Sequence, residues 1–169
     1  MKNKGEINMK KIIRLFICLL LVLSLAGCFK SEKSYTVDEL TITIDSGFSE
    51  TEQIGIDLML VSRKYMVAVV KTNQYSSYTL DAYCKMLKNS FTVDLTFNDS
   101  ETNNGDKFKY AIYTNSADGK EYSYVSAVYK YKSNFYMVDM AVSIKNASDK
   151  VNEKFLNYAK SVTFGELVK

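Results

Sequence analysis

Histidine is absent from all 169 residues, as are tryptophan and proline, and cysteine occurs only three times. Without imidazole there is no Ser-His-Asp or Cys-His nucleophile system, and no zinc site that needs a histidine ligand. Cys18 and Cys28 belong to an N-terminal apolar stretch, which leaves Cys84 alone in the rest of the chain. The folded part therefore has neither a thiolate cluster nor a disulfide of its own, and the leftover thiol reads as a buried apolar group. Seven glycines fall mostly in turns, and neither Gly-x-Gly-x-x-Gly nor a Gly-Lys-Ser/Thr phosphate loop occurs, so nucleotide binding by those routes has no support. A permanent membrane helix is also missing. The longest apolar run, Leu15 to Ala26 broken only by Ser24, falls short of the ~20 residues needed to span a bilayer.

What that run does supply is a secretory signal pattern. Lys10, Lys11 and Arg14 form a basic n-region ahead of it, and small residues end it. The ending Leu25-Ala26-Gly27-Cys28 resembles the bacterial lipobox, in which small residues fit the lipoprotein signal peptidase and the cysteine sulfur carries a diacylglyceryl thioether. The resemblance implies cleavage between Gly27 and Cys28, a lipid attached to Cys28, and a location on the extracytoplasmic face of the cell membrane. The two acyl chains of the diacylglyceryl group would make the hold stable, because one chain alone binds membranes only marginally. Met9-Lys10-Lys11 reads as a natural signal start, so Met9 is the expected initiator rather than Met1. The Lys- and Asn-rich composition goes by association with a Gram-positive surface.

The stated net charge of +3 belongs to the removable segment. Residues 1–27 hold five of the 22 basic residues and one of the 19 acidic ones, so the mature chain has a formal charge of −1. Nucleic-acid binding needs a clustered basic excess, and that partner class is excluded. Residues 28–36, short and polar, read as a lipidated tether of at most ~30 Å, and residues 37–169 as one domain.

Periodicity orders that domain. Leu40, Ile42 and Ile44 alternate with polar residues, as do Ile54, Ile56, Leu58 and Leu60, and Tyr65 to Lys71 is a continuous apolar strand covered on both faces. Leu80, Tyr83, Cys84 and Leu87 recur at helical spacing behind a Thr79 cap. Four antiparallel strands follow: Phe91 to Phe97, a strand through Phe108 to Ile112 between Asn104-Gly105 and Asp118-Gly119, then Glu121 to Lys132 and Phe135 to Lys145 around a Ser133-Asn134 turn. On the last strand Tyr136, Val138, Met140, Val142 and Ile144 share one face and Phe135, Met137 and Ala141 the other, so helices are expected on both sides. Ser148 caps a final helix in which Val151, Phe155, Tyr158, Ala159 and Val162 share one side. The fold class is α+β, a mainly antiparallel sheet of six to seven strands with helices packed on its faces.

This order, with Leu40-Thr-Ile-Thr-Ile near the start, an amphipathic helix after the third strand and Phe155 to Phe164 at the end, resembles the PsbP-like family of three-layer α/β/α domains, which includes the DcrB-type bacterial lipoproteins. The resemblance spans roughly Tyr35 to Phe164. The chain departs from the family where many members carry a Trp and a Pro after the first strand. The resemblance implies a non-enzymatic accessory or assembly role, and it brings no catalytic residue and no cofactor.

Chemistry by other routes has two places to start. Asp99, Glu101, Asn103, Asn104, Gly105 and Asp106 form an acidic stretch whose spacing does not match the twelve-residue calcium loop, so a solvated hairpin is expected and no metal is assigned. Asp139, an acid inside an apolar strand, is either a general base raised by burial or a residue pointing to an exposed part of the sheet or paired with Lys130 or Lys132. Tyr122, Tyr124, Tyr129, Tyr131 and Tyr136 gather on the long hairpin, where they offer a stacking or sugar-binding surface or serve as ordinary sheet residues. The expected function is a membrane-anchored, non-catalytic binding or accessory lipoprotein with an envelope protein as partner. The alternatives are a small-molecule or ion-binding lipoprotein and a carboxylate-based enzyme.

Overall fold

The computed structural model describes residues 31–165, so the signal segment and the lipobox, Gly27 and Cys28 included, lie outside the described residues. Among the described residues no helix is long and apolar enough to cross a membrane.

Among the described residues ten strands and two α-helices follow one another: β1 (Glu32–Val37), β2 (Leu40–Asp45), β3 (Ser49–Gln53), β4 (Ile56–Val61), β5 (Tyr65–Thr72), α1 (Leu80–Ser90), β6 (Asn98–Glu101), β7 (Lys107–Ala117), β8 (Lys120–Tyr131), β9 (Asn134–Ser143), α2 (Asp149–Lys160) and β10 (Thr163–Phe164). A seven-stranded sheet has the order β3-β4-β5-β9-β8-β7-β6, and a smaller sheet the order β1-β2-β10. Every pairing is antiparallel. The long central strands alternate with a period of two, so each presents a face to each side of the sheet.

Two hydrophobic clusters lie against those faces. Tyr136, Val138, Met140 and Val142 of β9 join Phe155, Tyr158 and Ala159 of α2 and Leu40, Ile42 and Ile44 of β2. Phe135 of β9 and Val128 of β8 join Tyr83, Cys84 and Leu87 of α1. The layered α+β architecture expected from the sequence is thus present, with the small sheet helping α2 to cover one side.

Both helices begin where the sequence places them. Thr79 Oγ1 accepts the Ala82 amide at 3.2 Å and Ser148 Oγ the Val151 amide at 3.4 Å, each satisfying one amide that the first helical turn leaves unpaired. Asp81 in the first turn and Lys88 in the last of α1 suit the helix dipole. Asp118 and Gly119, both at positive φ, make the two-residue β7–β8 turn.

The structure corrects several expectations. Residues 32–36, read as part of a tether, belong with Val37 to a strand that pairs with β2 in register from Glu32↔Asp45 to Val37↔Leu40, and Tyr35 of that strand is buried, its hydroxyl donating to the Phe48 carbonyl at 3.0 Å. The alternation of Phe91 to Phe97 is not a ladder strand. Phe91 ends α1 as its C-cap, and Phe91 and Phe97 pack on the α1 cluster beside buried Leu95, so the strand begins only at Asn98. The β8–β9 turn lies one residue earlier than expected, at Lys132-Ser133 between paired Tyr131 and Asn134, with Lys132 at φ 51°. Ile54 is fully exposed in the β3–β4 turn, and Ile144 leaves β9 for a short 3-10 turn.

Candidate binding surface

Which tyrosines can act together follows from strand parity. Tyr122 and Tyr124 differ in parity from Tyr129 and Tyr131, so the hairpin divides its tyrosines between the two faces.

Tyr129 and Tyr136, opposite each other across β8 and β9, belong to the α2 side. Tyr129 is wholly buried and donates to the Ala159 carbonyl at 2.7 Å, and burial pushes its phenol well above the ordinary value. The Tyr136 hydroxyl donates to the Glu39 carboxylate. That bond, followed by the ammonium of Lys71, holds Glu39 below its usual range against the opposing effect of burial. Burial and Glu39 together push Tyr136 up to about 12. Both phenols are thereby fixed in the core and in its edge network rather than offered to a ligand.

On the α1 side, Tyr113 stacks on Tyr124 with ring centroids 5.1 Å apart and meets Phe91 edge-on. Its hydroxyl lies 3.1 Å from Ser126 Oγ, and Ser126 donates to Asp139. Asp139 therefore pairs with a serine, not with Lys130 or Lys132 as one reading of the sequence had it. Lys130 donates to the carbonyls of Ser76 (3.2 Å) and Tyr78, and Lys132 stands over the Tyr131 ring. Burial raises the Asp139 carboxyl while the Ser126 bond partly offsets the rise. Ser126 thus links this acid to the Tyr113 hydroxyl, and among the described residues no second acid is hydrogen-bonded to it.

The acidic stretch is half strand. Asp99 and Glu101 of β6 sit opposite Lys109 and Lys107 of β7, so their charges meet cations across the ladder. The rest is a turn organised by buried Thr102, whose Oγ1 accepts the amides of Asn104 (3.3 Å) and Asp106 (3.1 Å). Among the described residues no three His, Cys, Asp or Glu side chains stand together so as to hold a metal ion. Cys84, 3% exposed, has its thiol pushed up to about 12 by burial, which suits packing and not nucleophilic chemistry.

A site absent from the sequence reading opens at the end of the sheet beside this turn. The N-terminus of α1, β6, the start of β7 and the end of β8 enclose a groove of about 750 Å³. Lys109 spans one wall, 2.7 Å from both Asp81 and Asp99. Its ammonium is raised chiefly by those two carboxylates. Stacked rings of Tyr131 and Phe164, 4.7 Å apart and 10° from parallel, contribute to the lining. At the rim Lys107, Glu101 and Asp106 are exposed. The groove has the size of a small-molecule site, but its lining is mostly charged, with acids and lysines of both signs around the two rings and Leu80. Its residues come from positions 80–81, 99–101, 106, 107, 109, 130–131 and 164, so the structure brings Asp99, Glu101 and Asp106 of the acidic stretch together with Tyr131 of the hairpin, a convergence no local motif in the chain announces.

The fold has solved counterparts. The solution structure of cyanobacterial PsbP (CyanoP) from Synechocystis aligns with a TM-score of 0.61 at 15% identity, covering 82% of this chain and 95% of that one. The Saccharomyces cerevisiae Ran-binding protein Mog1p aligns with a TM-score of 0.52 at 10% identity, over 80% of this chain and 97% of that one. A crystal structure from Bacteroides thetaiotaomicron gives a TM-score of 0.58 at 13% identity and covers 81% of this chain, which spans only half of that longer protein. No family model matches the sequence, and no curated protein matches it. At such identities the likeness is one of fold, and the described residues have the mostly antiparallel α+β architecture of a PsbP-like domain.

Proposed function

We propose that the chain is an extracytoplasmic lipoprotein, held at the membrane through Cys28, whose PsbP-like domain is a non-catalytic binding or accessory unit for an envelope protein. Recognition is assigned to the groove of Tyr131, Phe164, Lys107 and Lys109. The observation that carries the binding reading is this groove, in which a stacked aromatic pair and mutually paired charges supply contact area and orientation but no activated nucleophile. The anchoring reading rests on Leu25-Ala26-Gly27-Cys28. Fold likeness to a Ran-binding protein and to a PsbP agrees with a protein that works by association, although fold alone does not carry function.

Crosslinking in intact cells followed by mass spectrometry tests both halves. The native protein, a Lys107→Glu variant, and a Cys28→Ala form behind an ordinary cleavable signal are compared. The expected result is one envelope protein crosslinked to groove lysines of the native form, weakened by Lys107→Glu and by loss of the lipid. Crosslinks that ignore both changes, or none at all, would sink the partner reading.

The size of the groove favours a second reading, a small-molecule lipoprotein. Stabilisation of the folded state by a ligand, through mass action, is its mark: a rise in melting temperature that Lys107→Glu abolishes.

A further inference from the structure

We infer that the end of the domain built by the Ser62–Lys64 turn rests on the anionic phospholipid headgroups of the membrane, and that the groove therefore faces away from it. The inference rests on the anchoring reading above and adds an orientation and a lipid preference to it.

Chain length is the first part of the argument. Because Glu32 is already paired with Asp45, only residues 29–31 separate Cys28 from the folded sheet. Four residue steps span at most ~14 Å, half the reach of a tether running to residue 36. An acylated Cys28 would keep the Glu32 end of β1 close to the lipid surface.

Topology says what else stands at that end. β2 finishes there at Asp45, and a cleft beside it brings Phe48, Arg63, Lys64 and Lys154 together. A second cleft on the other side of the turn joins Arg63 and Lys64 to Tyr122, Ser143 and Asn146. The Arg63-Lys64 pair is thus flanked by two small clefts, both side chains are exposed, and neither has an ion-pair partner among the described residues. Lys145 adds a third exposed cation in the 3-10 turn after β9.

Charge balance and apolar exposure agree with a membrane contact. Asp45 is neutralised by Lys154 at 2.6 Å. Glu32, Glu121 and Asp149 are matched only in number by the lysines next to them in sequence, Lys33, Lys120 and Lys150. Exposed Arg63, Lys64 and Lys145 then outnumber the remaining exposed acids of this end, Asp118 in the β7–β8 turn and Glu50 on β3, and this excess of positive charge is what an anionic leaflet attracts within a Debye length. Among them Val61 and Ile144, 37% and 40% exposed, offer aliphatic side chains to the headgroup boundary, and half-buried Tyr122 has the amphipathic character favoured there. Tyr131 and the groove lie at the other end of β8, nine residue steps or ~30 Å along the strand from Tyr122.

The test uses the native lipoprotein, its acylation established by mass spectrometry, reconstituted into phosphatidylcholine vesicles with and without phosphatidylglycerol. A fluorophore is placed by Asn146→Cys or, in a second protein, by Lys107→Cys, with buried Cys84 left in place. A nitroxide attached to lipid headgroups quenches whichever end is near. Several-fold stronger quenching at 146 than at 107 is expected on phosphatidylglycerol vesicles, with the contrast reduced by high salt, by neutral vesicles and by Arg63→Glu. Equal quenching at the two positions, or more at 107, overturns the orientation. A contrast unchanged on neutral vesicles overturns the anionic preference. Protein that is unacylated and fails to float with vesicles overturns the anchoring itself, which separates that failure from the other two.

Discussion

Asp139 is the residue at which the sheet departs most from apolar packing. Its carboxyl is raised by burial, so between its unfolded and folded pKa values the native state binds more protons than the unfolded one. Stability contributed by this group is therefore present at low pH and falls as pH rises through that window, and the charged form is a standing cost above it. Asp139→Asn removes the charge and keeps an oxygen to accept from Ser126. Melting temperatures followed from acid to neutral pH should show the variant gaining on the parent as pH rises, and equalling or exceeding it at neutrality. A variant with the same pH slope as the parent would contradict this account. The oddity of Asp139 was legible in the sequence, but its partner was not. Ser126 stands opposite it only once β8 and β9 take their register, and no spacing rule selects a serine over the nearby lysines.

At the scale of elements, α1 shows what one-dimensional pattern can carry. Its apolar positions repeat at 3.6, its cap is a threonine and its charges suit the dipole, so every local signal agrees. Thr79→Ala should cost about 1 kcal/mol in urea unfolding by removing the acceptor of the Ala82 amide, and Thr79→Ser should restore most of it. Loss of stability in both variants alike would assign the effect to the methyl group instead. Strands fared unevenly for a physical reason. β7, β8 and β9 were legible because apolar residues recur along them, buried on both faces of β8 and β9, and turn residues bound them. β3 was not, because all five of its residues are exposed, as suits a polar edge that discourages pairing with other chains. β1 and β6 were hidden in the same way, being polar segments held by ladders whose partners lie elsewhere in the chain. Phe91 to Phe97 misled in the opposite sense, since alternation there records side chains pinned under α1 rather than a paired strand. The groove inherits these difficulties, because β6 forms one of its walls and β10, two residues long, supplies Phe164.

For the whole molecule the decisive feature is that two cores share one pair of strands. Val128 and Tyr129 are neighbours on β8 yet belong to different clusters, and so do Phe135 and Tyr136 on β9. Loss of either cluster strips one side of the strands on which the other is built, so the faces should melt together. Leu87→Ala opens the α1 side and Phe155→Ala the α2 side, at costs of about 2–5 and 3–5 kcal/mol respectively. With thirteen tyrosines and no tryptophan, the near-ultraviolet circular dichroism reports tyrosine packing on both faces. In each variant that signal and the far-ultraviolet signal should fall in one coincident transition at lower denaturant. If Leu87→Ala instead lost part of its tyrosine signal in a separate, earlier step, α1 would be a cover that lifts independently, and the Tyr113–Asp139 surface beneath it would be open to ligands while the rest of the fold stands.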